Sequence, residues 1–196
     1  MGALPPTFIV GIGGSAGGLH AYMALLDALP SNTGMAFAIV PHMFPSASTQ
    51  LAEILSRHTK MPVILTSRAM PILANHVYVS PTDVDLLIES DGFKVVSSRR
   101  GREVIIDSFF KSLADEMGAR GIGIILSGCG EDGTEGCLHI KAKDGIVFAQ
   151  DISAEEHSMP FSVREAGCVD FILPPDKIAA KLRSLAAESR RHRQSR

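Results

Sequence analysis

Three cysteines, Cys129, Cys137 and Cys168, are all this 196-residue chain holds, and no two stand in C-x-x-C spacing. An odd, sparse set points to reduced thiols in a cytoplasmic protein, not to a disulfide framework. Long hydrophobic runs are also missing: none approaches the roughly 20 residues needed to span a bilayer. The N-terminus has no basic stretch followed by an apolar core, so it does not read as a signal peptide. Charge is close to balance, with a formal net of −2, which argues against a nucleic-acid binder that works by bulk electrostatics. The seven histidines are scattered and no H-E-x-x-H occurs, so no zinc signature is present. What remains is an ordinary globular mix, 45% hydrophobic and 20% charged, of a length suited to one domain.

Against these absences stands one glycine-rich turn. An apolar run, Phe8-Ile9-Val10, enters the stretch GIGGSAGG, and a helical pattern leaves it. Ser15 sits at its centre with Gly13, Gly14, Gly17 and Gly18 around it. Glycine tolerates positive φ and lets other groups approach the backbone closely. Three readings fit. Gly11-x-Gly13-x-x-Ala16 matches the loose dinucleotide fingerprint between a strand and a helix. Gly13-Gly14-Ser15-Ala16-Gly17 matches G-x-S-x-G, the elbow that lifts a nucleophilic serine above the strand ends. The third is a tight connection without chemistry.

Around this turn, strand and helix patterns alternate. A helix is expected over Leu19–Leu29, with Leu19, Met23, Leu26 and Leu29 on one face. Met35–Val40 reads as a strand buried on both faces, followed by the loop Pro41-His42-Met43-Phe44-Pro45. A helix at Ser46–His58 and a short strand at Val63–Leu65 come next. His76–Ser80, Asp85–Glu89 and Phe93–Ser97 are short and β-rich, and Asp91-Gly92 is a hairpin signal. These three are expected to form an antiparallel hairpin excursion at one edge of the main sheet. The α/β rhythm resumes with a helix at Ile106–Met117, a strand at Gly123–Leu126, and a second glycine-rich turn, SGCGEDG. A helix follows from Thr134, then a strand at Gly145–Ala149, a short helix from Ser158, a strand at Val169–Leu173 and a helix at Pro175–Glu188. Residues 1–188 are thus expected to form a single domain, and 189–196 a basic flexible tail. The pattern implies an α/β fold with a doubly wound, mainly parallel, Rossmann-like sheet. Right-handed crossovers place every βα loop on one edge, and ligands bind there.

That edge would gather the Ser15 turn, the His42 loop, the Asp132 turn and the loop Gln150–Ser158. A dinucleotide fold needs an acidic residue after its second strand, to hold the ribose hydroxyls. Here the strand ends Val40-Pro41-His42-Met43. An imidazole stands where the carboxylate would be. Serine is a weak nucleophile until a base takes its proton. Histidine can take that proton and return it to the leaving group, and an aspartate can orient the imidazole and stabilise its charged form. Ser15, His42 and Asp132 have the parts of such a triad.

Four stretches, IVGIGGSAGG, IVPHM, IILSGCGEDGTEG and AQD…HSMP…A, resemble the catalytic domain of the chemotaxis receptor protein-glutamate methylesterases, CheB. The resemblance runs from about Phe8 to about Leu182. It implies Ser15 as nucleophile, His42 as general base and Asp132 as the orienting acid. It implies hydrolysis of γ-glutamyl methyl esters on receptor signalling helices with release of methanol, and deamidation of particular glutamines by the same acyl-enzyme route. The implied partners are a methyl-accepting chemotaxis receptor or another methylated sensor, and a receptor methyltransferase, because SAGGL, TGMAF and LPP resemble the version fused to one. No metal or organic cofactor, nucleic acid or membrane insertion is implied. The backbone N–H of Ala16 is an expected oxyanion donor by analogy with elbows, and the resemblance suggests Cys129 for the second. Full-length members of the family carry an N-terminal phosphoacceptor receiver domain; here the first strand starts by about Thr7, so either a receiver was cut away or the protein never had one. A catalytically idle regulatory module of the same fold is the competing reading.

Some residues depart from the family or compete with these roles. Ala16 stands where many relatives have threonine, Pro41 where glutamine is common, and Cys129 where methionine is frequent. Glu131 is the neighbour and rival of Asp132. Asp107 and Asp151 read as capping or salt-bridge residues. His20, His58, His76, His139 and His157 read as surface or structural, with His157 on the rim of the site. Cys129 has no histidine near it in sequence and is a poor candidate nucleophile. Met43-Phe44 reads as an apolar rim.

Overall fold

The structure, a computed structural model, describes residues 5–42, 48–67, 69–81, 84–90, 92–97 and 104–194. Seven strands form one parallel sheet. In chain order they are β1 (Ile9–Gly14), β2 (Ala36–Pro41), β3 (Val63–Leu65), β5 (His76–Val79), β8 (Gly121–Ile125), β9 (Ile146–Gln150) and β10 (Phe171–Leu173). Across the sheet the order is β10-β9-β8-β1-β2-β5-β3. Every residue of β1, β2 and β8 is buried, which is why these strands read as unbroken apolar or glycine runs rather than alternating ones.

Alternation appears instead in which helix layer each residue meets. Val10 and Ile12 of β1 pack with α1 (Gly18–Ala28), α2 (Ser48–Leu55) and α6 (Pro175–Gln194). Ile9 faces the other layer, built from α3 (Ile105–Met117), α4 (Thr134–Ala142) and α5 (Ser158–Glu165). Gly11 and Gly13 lie on that same face by the two-residue period of a strand. A Cβ at Gly11 would stand 2.8 Å from the Phe110 ring and 2.9 Å from the Phe109 ring; one at Gly13 would stand 2.7 Å from Ile106. These glycines let α3 lie directly on β1. Phe109 and Phe110 are completely buried, and each contributes roughly 1.5–3 kcal/mol through that burial.

The antiparallel excursion is present, with a different membership. β4 (Met70–Pro71), β6 (Val84–Glu89) and β7 (Gly92–Ser97) form a separate three-stranded sheet in the order β4-β7-β6. The β6–β7 hairpin closes with Glu89 opposite Gly92, and Ser90 takes φ 51° in its turn; Asp91 lies outside the described residues. Leu86, Ile88 and Phe93 bury against α3. His76–Ser80, expected in the excursion, instead supplies β5 of the main sheet, parallel to both β2 and β3. Its apolar residues Val77, Tyr78 and Val79 are all buried, so tertiary packing decided its sheet, while the hairpin expected between the other two strands forms as β6–β7. α2 ends at Leu55, short of the expected His58, while Ser46 and Ala47 lie outside the described residues. α6 is longer than expected and runs through residues 189–194, with Arg190 donating to the Asn32 and Thr33 carbonyls.

The chain runs from β1 outward through β2 to β3 and β5, then returns to β8 and runs outward the other way. The reversal falls between β1 and β8, and the crevice beyond their carboxyl ends is where an open α/β sheet offers a site.

The close approach of α3 to β1 makes Gly11→Ala an overpacking substitution against two aromatic rings. It should cost about 1–3 kcal/mol, read as a lowered urea midpoint. An unchanged midpoint would show that the rings move aside freely.

Candidate active site

Ser15 stands one residue beyond the end of β1. Gly14 pairs with Pro41 across the ladder, and the next rung, His42 N–H to the Gly14 carbonyl, is 2.8 Å. Backbone pairing therefore carries His42 to the side of Ser15. The Ser15 hydroxyl donates to the His42 backbone carbonyl at 2.9 Å, not to the ring. Gly17 then turns the chain with φ 72° just before α1, a conformation L side chains rarely hold. Its missing Cβ also leaves room for the Ser127 hydroxyl and the Glu155 side chain.

The glycine turn carries its serine between a strand and a helix, as an elbow does. The first two glycines of the dinucleotide pattern are packed against by α3, and the residue after β2 is an imidazole where a dinucleotide site wants a carboxylate.

Asp132 enters the same region from the turn after β8. Its carboxylate is buried and accepts the N–H groups of Ile106 and Asp107, both at 3.0 Å. Those donors are the unpaired first N–H groups of α3, whose positive end suits an anion. Asp107 returns the arrangement: its carboxylate accepts the Gly136 N–H, in the first turn of α4, at 2.7 Å. Each aspartate belongs to one helix start and caps the other. Burial pushes the Asp132 carboxyl up to about 6. The two N–H donors oppose the rise, the Asp107 charge adds to it, and the positive form of His42 counteracts it. Burial also holds Asp107 above the usual carboxylate range, against the pull of the Gly136 N–H.

His42, Asp107, Asp132 and Cys129 line one cleft of about 500 Å³. Glu131, the sequence rival, is exposed. The N–H groups of Ala16 and Cys129 find no acceptor among the described residues. The Cys129 side chain is exposed, with Sγ 3.6 Å from a Glu156 carboxylate oxygen. Local desolvation and that carboxylate push its thiol up, so little of the reactive thiolate form is present. Asp151 accepts the Ser153 N–H and shapes its own loop. His20 meets Glu155, His58 meets Asp27, His139 meets Asp115, and His76 bonds the Ala74 carbonyl; His157 is exposed at the start of α5. Met43-Phe44 lies outside the described residues.

Two residues that sequence reasoning passed over stand at the centre of this edge. Ser127 and Gln150 are both buried, and the Ser127 N–H donates to Gln150 Oε1 at 2.9 Å. The available signal was their position: each is a polar residue at the end of an apolar core strand.

Comparison with known proteins bears on the family and the fold. The CheB methylesterase family model matches residues 10–182. The chain is 32% identical over 197 residues to a protein-glutamate methylesterase/protein-glutamine glutaminase of Burkholderia thailandensis, covering 98% of this chain and 57% of that protein. A protein of the same description from Trichodesmium erythraeum is 32% identical over 181 residues, covering 89% of this chain and 51% of its own length. The chain therefore spans about half the length of the curated relatives it matches. The crystal structure of the Thermotoga maritima CheB methylesterase catalytic domain superposes with a TM-score of 0.83 at 29% identity, covering 91% of this chain and 98% of that one.

The raised carboxyl of Asp132 has a consequence for stability. Between its ordinary value of 3.8 and about 6, the folded state holds a proton that the unfolded state has lost. Stability should therefore fall as pH rises through that window and level off above it. The size is about 3 kcal/mol at most, from roughly 1.4 kcal/mol per pH unit. Asp132→Asn, which cannot titrate, should lack this part of the pH slope. Urea unfolding of both proteins at pH 4, 5, 6 and 7 reads the difference, and identical slopes would place the Asp132 carboxyl at its ordinary value.

Proposed function

This chain belongs to the CheB methylesterase family, and on that premise we propose that it is a serine hydrolase of γ-glutamyl methyl esters. Its substrates are chemoreceptors or related methylated sensor proteins, and it also deamidates glutamine side chains in them. The supporting observation is that Ser15 bonds the His42 backbone at the ends of β1 and β2 while His42 and Asp132 line one cleft, with the Asp132 carboxylate buried within electrostatic reach of His42.

In this reading, the Ser15 hydroxyl leaves the His42 carbonyl and bonds the imidazole. Oγ then attacks the ester carbonyl while His42 takes its proton. The N–H groups of Ala16 and Cys129 receive the oxyanion. As the C–O bond to the methoxy group breaks, His42 returns the proton and methanol leaves. A water molecule, deprotonated by His42, attacks the glutamyl-enzyme; the glutamate side chain departs as a carboxylate and Ser15 recovers its hydrogen. For glutamine the leaving group is ammonia. Asp132, ionised, holds the imidazole orientation and stabilises its charged form. The steps need no metal or organic cofactor. Residues 1–188 act as one catalytic domain, the setting is cytoplasmic, and a receptor methyltransferase is the opposing enzyme. No helix among the described residues is long and apolar enough to cross a membrane.

The Ser15 hydroxyl on a backbone carbonyl is the one observation favouring an idle regulatory module. Methanol release from a methylated receptor cytoplasmic fragment separates the two. Ser15→Ala and His42→Ala should each lower the rate by about a thousandfold to a millionfold, with unchanged circular dichroism. Wild-type protein that neither releases methanol nor reacts with a fluorophosphonate at Ser15 would establish the idle module instead.

A further inference from the structure

Every polar backbone and side-chain atom of Ser127 is engaged, and the bonds reach the Ser15–Ala16 turn, the end of β9 and the loop that follows β9. Its N–H donates to Gln150 Oε1 at 2.9 Å. Its carbonyl accepts the Ser15 N–H at 2.9 Å. Its hydroxyl donates to the Ala16 carbonyl at 2.9 Å and accepts the Glu156 N–H at 2.9 Å. The residue is buried, so water does not compete for these partners.

The consequence falls on the peptide between Ser15 and Ala16. The peptide before it is held through the Ser15 N–H, and the peptide after it through the Ala16 carbonyl, both by Ser127. Its own carbonyl accepts the Gly18 N–H at 3.0 Å. With three consecutive peptide planes held, the Ala16 N–H is fixed in direction and finds no acceptor among the described residues. A donor held in place without a ground-state partner is what oxyanion stabilisation requires, because no reorganisation is then needed as charge develops.

We propose that Ser127 is the positioning residue of the nucleophile turn: its hydroxyl sets the direction of the Ala16 N–H and ties it to the 151–157 loop. This rests on the esterase reading above. Ser127 touches no reacting atom in that mechanism; it acts through Ala16. Gln150 extends the arrangement by holding the Ser127 backbone, and its Nε2 donates to Ser153 Oγ at 3.2 Å.

The test compares Ser127→Ala and Ser127→Thr in the full chain, with Ser15→Ala as the control for the esterase reading. Ser127→Ala should lower kcat for methanol release about tenfold to a hundredfold with KM within about twofold. Ser127→Thr, which restores a hydroxyl, should recover to within about threefold of wild type. Amide hydrogen exchange, read independently of activity, should speed up at least about tenfold across residues 15–17 in the alanine variant and not in the threonine variant. Should the alanine variant not fold, Ser127→Val against Ser127→Thr reads the same contrast, since the two side chains share a shape and differ by the hydroxyl. Unchanged kcat and unchanged exchange in Ser127→Ala would overturn the inference, as would equal losses in the alanine and threonine variants. If Ser15→Ala releases methanol like wild type, the esterase reading fails, and the exchange experiment alone then decides whether Ser127 holds the turn.

Discussion

A buried carboxylate needs donors, and the start of a helix needs acceptors. The contact of Asp132 with the first N–H groups of α3 satisfies both, and most of the candidate site depends on it. Asp132 lies just before α4, so the bond ties the β8 turn to α3. Asp107, in the first turn of α3, ties back to α4 through Gly136. The two helices are held end to end by each other's aspartates, and His42 faces the pair across the cleft. Neither carboxylate is offset by a lysine or arginine at hydrogen-bonding distance among the described residues. Backbone dipoles carry the stabilisation, which leaves the raised carboxyl of Asp132 sensitive to the charge on His42.

The packing of α3 on β1 serves the same end. Gly11 and Gly13 remove two side chains from the strand, and Phe109, Phe110 and Ile106 fill the space. This brings the amino end of α3 close to the carboxyl end of β1, within reach of the β8 turn. A pattern that resembles a phosphate cradle on paper is, in the folded chain, a packing device that places an anion-binding helix end beside a serine. The small antiparallel sheet covers the outer side of α3 through Leu86, Ile88 and Phe93, so the helix is held from both sides.

Much was legible in the residues themselves. Buried parallel strands announce themselves as apolar runs, and a strand-to-helix turn dense in glycine announces a functional edge. Once the β-α rhythm is recognised, handedness alone gathers Ser15, His42 and Asp132 to one side of the sheet. The missing acidic residue after β2 disfavours a dinucleotide on the sequence alone. What failed to read was the partner of each strand. His76–Ser80 has the length and composition of a hairpin strand, and only its burial between β2 and β3 makes it a core strand. Helix ends also shifted, since fraying and continuation depend on contacts such as Arg190 with Asn32 rather than on propensity.

The sequence by itself determined the fold class, the sheet edge and the residue types that meet there, because periodicity and glycine spacing are local properties of the chain. Tertiary structure alone decided the rest. It showed that Ser15 rests on a carbonyl and not on an imidazole, and that Asp107 and Asp132 exchange caps. It also showed that Ser127, a polar residue in the second glycine turn, bonds the Ser15–Ala16 turn on both sides. These are matters of direction and burial between residues far apart in sequence, and a hydrogen bond is set by such geometry, not by spacing along the chain.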